Sequence, residues 1–488
     1  MTLPRTIAIT QLDEINLHIG GLPSTLYQKL KGKLSCYVNG FRESVAYQLG
    51  QWDGKKSFLE DGFTSIYFLD DILAFLEPYN FNIDFIDDRP YDEIYPSIDL
   101  DSITDQFIIE ETGMTLRAKQ VDGIRTAISQ QKGVLEYATN TGKTKVCSGI
   151  CKAVNDDLRV VVVVPNVSLA KKTGEEIEEL GLDVKVIDAK VKPNKREEAI
   201  NKHRHIVITY KLFCDNASLF NGDDWFLIID EVHVFGEKIY EALKFDVPHI
   251  QYRIGMTGTF PSKSENNEKH WMICSTLGNS IIDNVTNDEM INAGQSSKPR
   301  LFVVGTKHPE FDSEVADSIA YDWSVEKNYL TKNKPRLDEI HSYITSMEPR
   351  NTLVLGDASV VEYLASINGD DFVHQHIDPT DRDKRFDRFE ESVKNGNGYV
   401  LWASYGTSAV GISQNHIFRL ILIDVGRSRS RILQSIGRGL RLDGVYDEVD
   451  VIDLYSKTPF SSKQKRDRMK LYKQQKFEVT ELPDIYIN

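Results

Sequence analysis

The sequence has little of several things that would point elsewhere. Five cysteines occur in 488 residues, with no Cys-x-x-Cys pair, which excludes a disulfide-built scaffold and a zinc ribbon and fits reduced thiols. Cys147 and Cys151, four apart, read as packing on one helix face rather than as metal ligands. No apolar run approaches the ~20 residues that span a bilayer. The first ten residues, MTLPRTIAIT, lack the basic, apolar and small-residue order of a secretory leader. A cytoplasmic protein with no membrane partner is therefore expected. Short-period repeats and low-complexity tracts are missing too. So is a basic surplus: 58 Lys and Arg stand against 73 Asp and Glu, a net charge of −15. That balance weighs against nucleic acid as a partner of the whole surface, but not against a local basic track.

What is present is unevenly spread. Residues 27–58 carry six basic side chains (Lys29, Lys31, Lys33, Arg42, Lys55, Lys56) against Glu43 and Asp53. Residues 59–105 then carry thirteen acidic side chains against Arg89 alone, and 457–476 hold eight Lys and Arg against Asp467. Hydrophobic content of 41% and aromatic content of 10% describe an ordinary globular chain. The length suggests roughly three domains.

From Gly133 onward, β-branched runs alternate with helical stretches. VLEYA (134–138), VVVVVP (160–165), DVKVID (183–188), HIVIT (205–209), FLIID (226–230) and YRIGMT (252–257) read as buried strands. Segments 168–180 and 237–245 read as helices between them. Such near-continuous Val/Ile runs predict a parallel sheet covered on both faces. The pattern lapses at 280–296, a boundary, and resumes with RLFVVG (300–305), NTLVLG (351–356), GYVLWA (398–403), FRLILID (418–424) and VDVIDL (449–454). Two α/β units follow a separate α+β module of about 105 residues.

Three motifs carry chemistry. YATNTGKT (137–144) lies between a strand and a helix, where backbone N–H groups and the helix dipole can hold a phosphate. Lys143 would meet the β- and γ-phosphates, and Thr144 would hold Mg²⁺. A Gly is wanted at 137, where Tyr stands, and a GKT tripeptide alone is a weak signal. FLIIDEVH ends a strand with Asp230, Glu231 and His233. Carboxylates there face the crevice in which open α/β sheets bind ligands, so Asp230 can hold Mg²⁺ and Glu231 can orient or deprotonate water. The bland alternative is an acidic pair complementing a helix dipole. In SRILQSIGRGLR, Arg438 and Arg441 are three apart and share a face if helical, able to reach a γ-phosphate as arginine fingers. Alone, they would be a solvated basic face; their order after the other two motifs favours the finger role.

This series resembles the superfamily 2 helicases over roughly 115–445. The resemblance implies an α/β fold: two tandem RecA-like domains, parallel sheets flanked by helices, plus a small N-terminal α+β domain. The expected domains are 1–105, an accessory DNA-binding domain; 106–295, RecA-like domain 1; and 296–488, RecA-like domain 2 with the basic tail. It implies an ATP-hydrolysing enzyme with Mg²⁺. Arg117 and Gln120 match the adenine-reading Q motif. Ala138, Thr139, Gly142, Lys143 and Thr144 match motif I, with Asn140 where the superfamily often has Gly. VVPNVSL and ITYKLF resemble motifs Ia and Ib, offering Asn166 and Thr209 to a nucleic-acid strand. Asp230, Glu231 and His233 form a DExH motif II, and Thr257, Gly258 and Thr259 resemble motif III. TLVLG (352–356) resembles motif IV. ASYGTSAVGIS (403–413) resembles motif V, with Ser404 toward DNA and Gly411 toward nucleotide. Gln434, Gly437, Arg438 and Arg441 match motif VI.

GQWDGKK near the N-terminus, motif V and a chain ending soon after motif VI are similar to the phage UvsW-type helicases. That likeness implies action on branched, forked or duplex DNA, by branch migration, fork regression and unwinding; a monomer is expected, in a host cytoplasm if the protein is a phage's. Tyr37, Phe41, Tyr47 and Trp52 interleave with the basic residues of 27–58, which suits phosphate contact with base stacking. Trp52 equally suits a buried anchor before the Asp53-Gly54 turn. The tail 457–476 reads first as a solvated helix face. Three alternatives stay open: a restriction- or chromatin-type translocase on duplex DNA, an RNA helicase of the DEAH type, and a DNA-binding scaffold with a degenerate ATPase. Only 47 residues follow Arg441, fewer than DEAH-type proteins usually carry there. The polar segment 261–271, PSKSENNEKHW, reads as a surface insertion.

Overall fold

The computed structural model describes residues 6–91, 95–97, 99–264, 266–278, 280–307, 322–374, 377–394, 398–406, 416–441 and 447–486. They form two compact units: Met1–Tyr137 with Gly142–Asn284, and Ala138–Thr141 with Val285–Asn488. No helix among the described residues is long and apolar enough to cross a membrane.

The first unit holds two principal sheets. The N-terminal one has four strands in the order Phe63–Ser65, Asn16–Gly20, Thr6–Gln11, Asn82–Asp87. Its first two pairings are antiparallel and its last is parallel. Strict alternation along Thr6–Gln11 sends Ile7 and Ile9 inward, the period-2 pattern of a half-buried strand. The second sheet has seven strands in the order Ile281–Val285, Lys132–Tyr137, Tyr252–Thr257, Trp225–Asp230, Arg159–Val164, His205–Thr209, Val184–Ile187. From Lys132–Tyr137 to Val184–Ile187 every pairing is parallel. Val160 to Val164 are fully buried, because helices cover both faces of such a sheet. Every strand expected before 260 is found within two residues of its reading. The lapse at 280–296 also contains a strand, Ile281–Val285, and a short helix, Asn287–Asn292.

The second unit has a sheet in the order Phe372–Val373, Val400–Ser404, Thr352–Gly356, Arg419–Ile423, Glu448–Ser456, Lys298–Lys307, Val479–Glu481, with Ile485–Tyr486 also beside Lys298–Lys307. All of these pairings are parallel. Two large parallel sheets flanked by helices, after a small mixed sheet, are the tandem RecA-like architecture implied by the motifs.

The basic tail is not simply a solvated face. It forms the helix Pro459–Gln474, and Arg468 is buried in a two-pronged pair with Asp453 at 2.8 and 2.9 Å. The Tyr472 hydroxyl donates to the same carboxylate at 3.0 Å. Lys463, Arg466, Lys470 and Lys473 form the exposed stripe.

Segment 261–271 is not a surface insertion either. Its second half opens the helix Asn267–Leu277, capped by Asn266, whose side chain accepts from the Lys269 N–H at 3.0 Å. Trp271 packs edge-on against Phe58 and Phe68 of the N-terminal sheet's core, with ring centroids 5.3 and 5.2 Å away. Ser65 Oγ donates to the Ser275 carbonyl at 2.6 Å. One continuous apolar core therefore runs from the N-terminal sheet into the large sheet of the first unit. Removing the Phe58 ring, 2% exposed, leaves a cavity in that shared core. Phe58→Ala should cost about 3–5 kcal/mol, read as a lower urea midpoint of the full chain.

Candidate active site

The three motif-bearing strands of the first unit, Lys132–Tyr137, Tyr252–Thr257 and Trp225–Asp230, are immediate neighbours. Being parallel, they bring their C-terminal ends to one edge, where open α/β sheets take their ligands. Lys132–Tyr137 runs through residues 138–142 into the helix Lys143–Val154. Gly142 has φ +80°, where a side chain is strained, and a Cβ there would lie 2.3 Å from Gln120 Nε2 and displace it, so glycine is favoured. Asn140 adopts φ +73°, the left-handed conformation that Asn tolerates better than most residues. It therefore serves where the superfamily often has Gly. Tyr137 is the buried last residue of its strand. Its hydroxyl donates to the Lys119 carbonyl at 3.0 Å and bonds Asp283 Oδ2 at 2.5 Å.

Lys143 extends back over this loop. Its Nζ donates to the Tyr137 carbonyl at 3.3 Å and lies 3.8 Å from Glu231 Oε1. Thr144 follows it in the helix and is half-buried. Gln120 joins the same place from below: its Oε1 accepts the Arg117 N–H at 2.9 Å, capping the helix Ala118–Gln130, while its amide faces Gly142.

Asp230 ends its strand, and Glu231 turns the chain with φ +54°, a strained conformation of the kind found at functional sites. The Glu231 N–H donates to Asp230 Oδ1 at 2.9 Å. His233 Nδ1 lies 3.1 Å from Glu231 Oε2 and 3.1 Å from Thr257 Oγ1. The Thr257 hydroxyl also accepts the Thr259 N–H at 3.1 Å. Motifs II and III are thus one hydrogen-bonded line. Two members escaped the sequence reading. The Tyr210 hydroxyl donates to the Asp230 carbonyl, although ITYKLF reads as a nucleic-acid segment. Lys269 Nζ donates to the His233 carbonyl at 2.8 Å, from the stretch read as an insertion. No spacing rule signals either contact.

Burial, and then the adjacent Glu231 charge, push the Asp230 carboxyl up to about 7; Lys143 opposes this. A buried carboxylate with too few cations around it suits a site built to receive one. The set of one lysine, a short hydroxyl, a buried aspartate and a helix N-terminus fits a nucleotide with Mg²⁺. Magnesium usually takes one or two protein carboxylates and phosphate oxygens. Because the folded-state value is raised above the ordinary 3.8, the unfolded chain ionises first. Stability therefore falls as pH rises from about 4 to 7, then levels off. Asp230→Asn removes this decline. In calorimetric melts without nucleotide, its melting temperature relative to the parent should rise across that window and plateau above it.

The second unit contains motif VI. Gln434 is half-buried and Arg438 is near the end of the helix Arg429–Gly439. That helix stops before Arg441, so the two arginines do not share a helix face as their spacing implies. Gly437 and Gly439 weaken the helix there. Residues Ala138–Thr141 belong to this unit by their contacts. Within it, Arg441 Nε donates to Asn140 Oδ1 at 3.0 Å, and Asn140 Nδ2 donates to the Gly437 carbonyl at 2.9 Å. Thr139 packs where a Cβ at 437 would stand, 2.6 Å away, which accounts for that glycine. Burial lowers the Arg441 pKa, with Glu390 opposing. Gly411 and residues 407–413 of motif V lie outside the described residues.

The residues read as DNA-facing are unequal. Lys29, Lys33 and Arg42 are exposed. Lys31 pairs with Glu60 at 2.8 Å, Lys33 lies 4.0 Å from Asp71, and Lys56 pairs with Glu237 beneath Tyr240. Lys55 sits over the Tyr37 ring at 5.0 Å. Trp52 is half-buried, its indole donating to the Lys55 carbonyl at 2.8 Å. Asn166 caps the helix Val167–Glu178. Thr209 and Ser404, at strand ends, are buried. Cys147 and Cys151 are buried in the helix Lys143–Val154.

Comparison with known proteins bears on this site. Residues 113–262 match the family model described as "Type III restriction enzyme, res subunit". Over 480 residues the chain is 18% identical to the ATP-dependent DNA helicase UvsW of Enterobacteria phage T4, covering 92% of this chain and 94% of that protein. The crystal structure of T4 UvsW aligns over 99% of this chain and 100% of its own, at 15% identity and a TM-score of 0.46. A fragment of a putative HsdR subunit of a type I restriction enzyme from Vibrio vulnificus aligns at 17% identity and a TM-score of 0.55, over 75% of this chain and 68% of that one. The motif order and the sequence likenesses mark the chain as an ATP-hydrolysing enzyme similar to the superfamily 2 helicases, the phage UvsW helicase among them.

Proposed function

We propose that this helicase is a DNA motor that remodels branched DNA, by branch migration, fork regression and duplex unwinding. The observation that carries the reading is the assembly at one sheet edge of Lys143, Asp230, Glu231, His233 and Thr257, in a unit that also bears a basic and aromatic surface. In this reading Lys143, Gly142 and Thr144 bind the phosphates, with Thr144 and Asp230 toward Mg²⁺ and Arg117 and Gln120 toward adenine. When bound, ATP would supply the phosphoryl group transferred to water, and Mg²⁺ would offset the charge that develops on it. Glu231 orients the attacking water, and His233 ties it to Thr257 so that hydrolysis is felt in motif III. Arg438 and Arg441 stabilise the γ-phosphate; such arginines are typically worth about 10³–10⁵ in kcat. Lys29, Arg42 and Lys55, with Tyr37 and Tyr47, meet a DNA junction through phosphate contact and stacking. Magnesium dependence, the DNA partner and the division into an accessory domain and two motor domains belong to this proposal.

A second reading, translocation on duplex DNA without strand separation, is supported by the likeness to restriction-enzyme subunits. ATP hydrolysis and strand displacement on a four-way junction separate the two, with linear duplex, single-stranded DNA and RNA alongside and Lys143→Ala as blank. Junction-preferred turnover with branches moved to completion is expected. Strong hydrolysis on plain duplex without displacement would establish the translocase instead. Arg438→Ala should lose at least about 10³ in turnover while ATP binding, followed by a fluorescent analogue, is largely kept; parental turnover would remove it from the site.

A further inference from the structure

The second unit has an open cavity of about 540 Å³ where the strands Thr352–Gly356, Val400–Ser404 and Arg419–Ile423 begin. It therefore lies at the opposite end of the sheet from Ser404, away from the edge at which parallel sheets take nucleotide. Its size is that of a pocket for a small organic molecule. Ile344, Met347 and Val400 give it apolar walls.

Its cations are not equally satisfied. Arg388 holds Asp371 with two prongs, at 2.8 and 2.6 Å, and the Tyr399 hydroxyl donates to the same carboxylate. Arg350 pairs with Asp450 at 3.1 Å, and Arg300 holds the same aspartate at 2.5 Å. Arg419 differs. It lines the cavity and is only 8% exposed, and its Nη1 donates to the Glu348 carbonyl at 3.0 Å. Among the described residues, no carboxylate lies within 4.0 Å of its guanidinium. Burial and then the neighbouring Arg350 charge lower its pKa, with Asp450 and Glu348 opposing from beyond ion-pair distance. A buried cation facing an open cavity without a direct ion pair is costly to keep, and a fork of N–H donors matches an oxyanion. Asp370 also lines the cavity, its Oδ2 accepting the Trp402 indole N–H at 3.1 Å. That negative charge discriminates against polyanions such as triphosphates.

We propose that this cavity binds a singly charged carboxylate on an apolar body, with Arg419 as its counter-ion. The carboxylate could come from a free organic acid or from an acidic side chain of a peptide. The chemistry is shared, and the test separates the sources.

Hexanoate, hexanamide and the blocked dipeptide acetyl-Leu-Glu-amide are titrated into the full chain with ADP and Mg²⁺ saturating, by calorimetry or ligand-observed NMR. Hexanoate or the dipeptide should bind below about 1 mM. The neutral amide, and either anion with Arg419→Met, should bind roughly tenfold more weakly or worse. Tighter dipeptide than hexanoate points to a peptide source, and the reverse to a free acid. Without ligand, Arg419→Met should melt at or above the parental temperature, since a buried charge with no direct ion pair is removed. No anion binding below about 10 mM, amide binding as tight as hexanoate, or a large fall in melting temperature would overturn the proposal. The amide comparison needs no variant, so it decides the matter even if Arg419→Met does not fold.

Discussion

Glu14 is the ionic knot on which the first unit depends. It is 2% exposed, yet its carboxylate is held by Arg89 at 2.8 Å and by Lys132. Its own carbonyl accepts Arg253 Nη2 at 2.8 Å, and its N–H donates to the Pro248 carbonyl at 3.1 Å. Burial would raise its pKa, but the charge and hydrogen bond of Lys132, the hydrogen bond of Arg89 and the charge of Arg253 hold it below the ordinary carboxylate value. Breaking one member of such a cluster leaves an uncompensated charge, at a cost of about 3–5 kcal/mol. The cluster's position gives it consequence. Lys132 begins the strand that leads into the loop before Lys143, and Arg253 lies in the strand that ends at Thr257. The N-terminal sheet is therefore fastened to the starting points of two strands whose far ends carry the motif residues.

Much of this was legible because buried parallel strands must be apolar along their whole length. Runs such as Val160–Val164 and Phe226–Ile229 announce themselves, and a parallel arrangement dictates where Lys143 and Asp230 converge. Ile281–Val285 was harder to read: it lies at the sheet's edge, is half-exposed, and contains Asp283 and Asn284. Its aspartate takes the Tyr137 hydroxyl, a contact that no spacing foretells. Arg468 was misread for a related reason. A lysine- and arginine-rich helix looks solvated in sequence, and only Asp453 of the neighbouring strand turns one of its cations inward. Asn140 was the opposite case. A substitution for glycine is explained once its left-handed φ is seen, since asparagine pays little for that conformation.

The acidic composition is reconciled with a basic surface by local pairing. Glu60 and Asp71, from the acidic stretch, engage Lys31 and Lys33 of the basic one. Lys56 is turned inward by Glu237 and Tyr240. The cations of 27–58 are thus of two kinds, some held by carboxylates and others facing water, and a count of charges cannot tell them apart. The aromatics divide likewise: Phe41 stacks on Tyr37 at 4.6 Å and meets Tyr47 edge-on at 4.8 Å, while Tyr37 keeps half its surface exposed.

The helix Asn267–Leu277 begins seven residues after Phe260 and returns to the sheet through Leu277, which packs beneath Gly255. On one side it carries Trp271 in the N-terminal core, and on the other Lys269 on the carbonyl of His233. It is a single lever with two short arms. Residues that look remote from hydrolysis, such as Phe58, Ser65 and Phe68, are therefore only one rigid body away from the turn that holds Glu231. A change in the N-terminal sheet thus reaches the carbonyl of His233 through one helix, with every signature motif left unchanged.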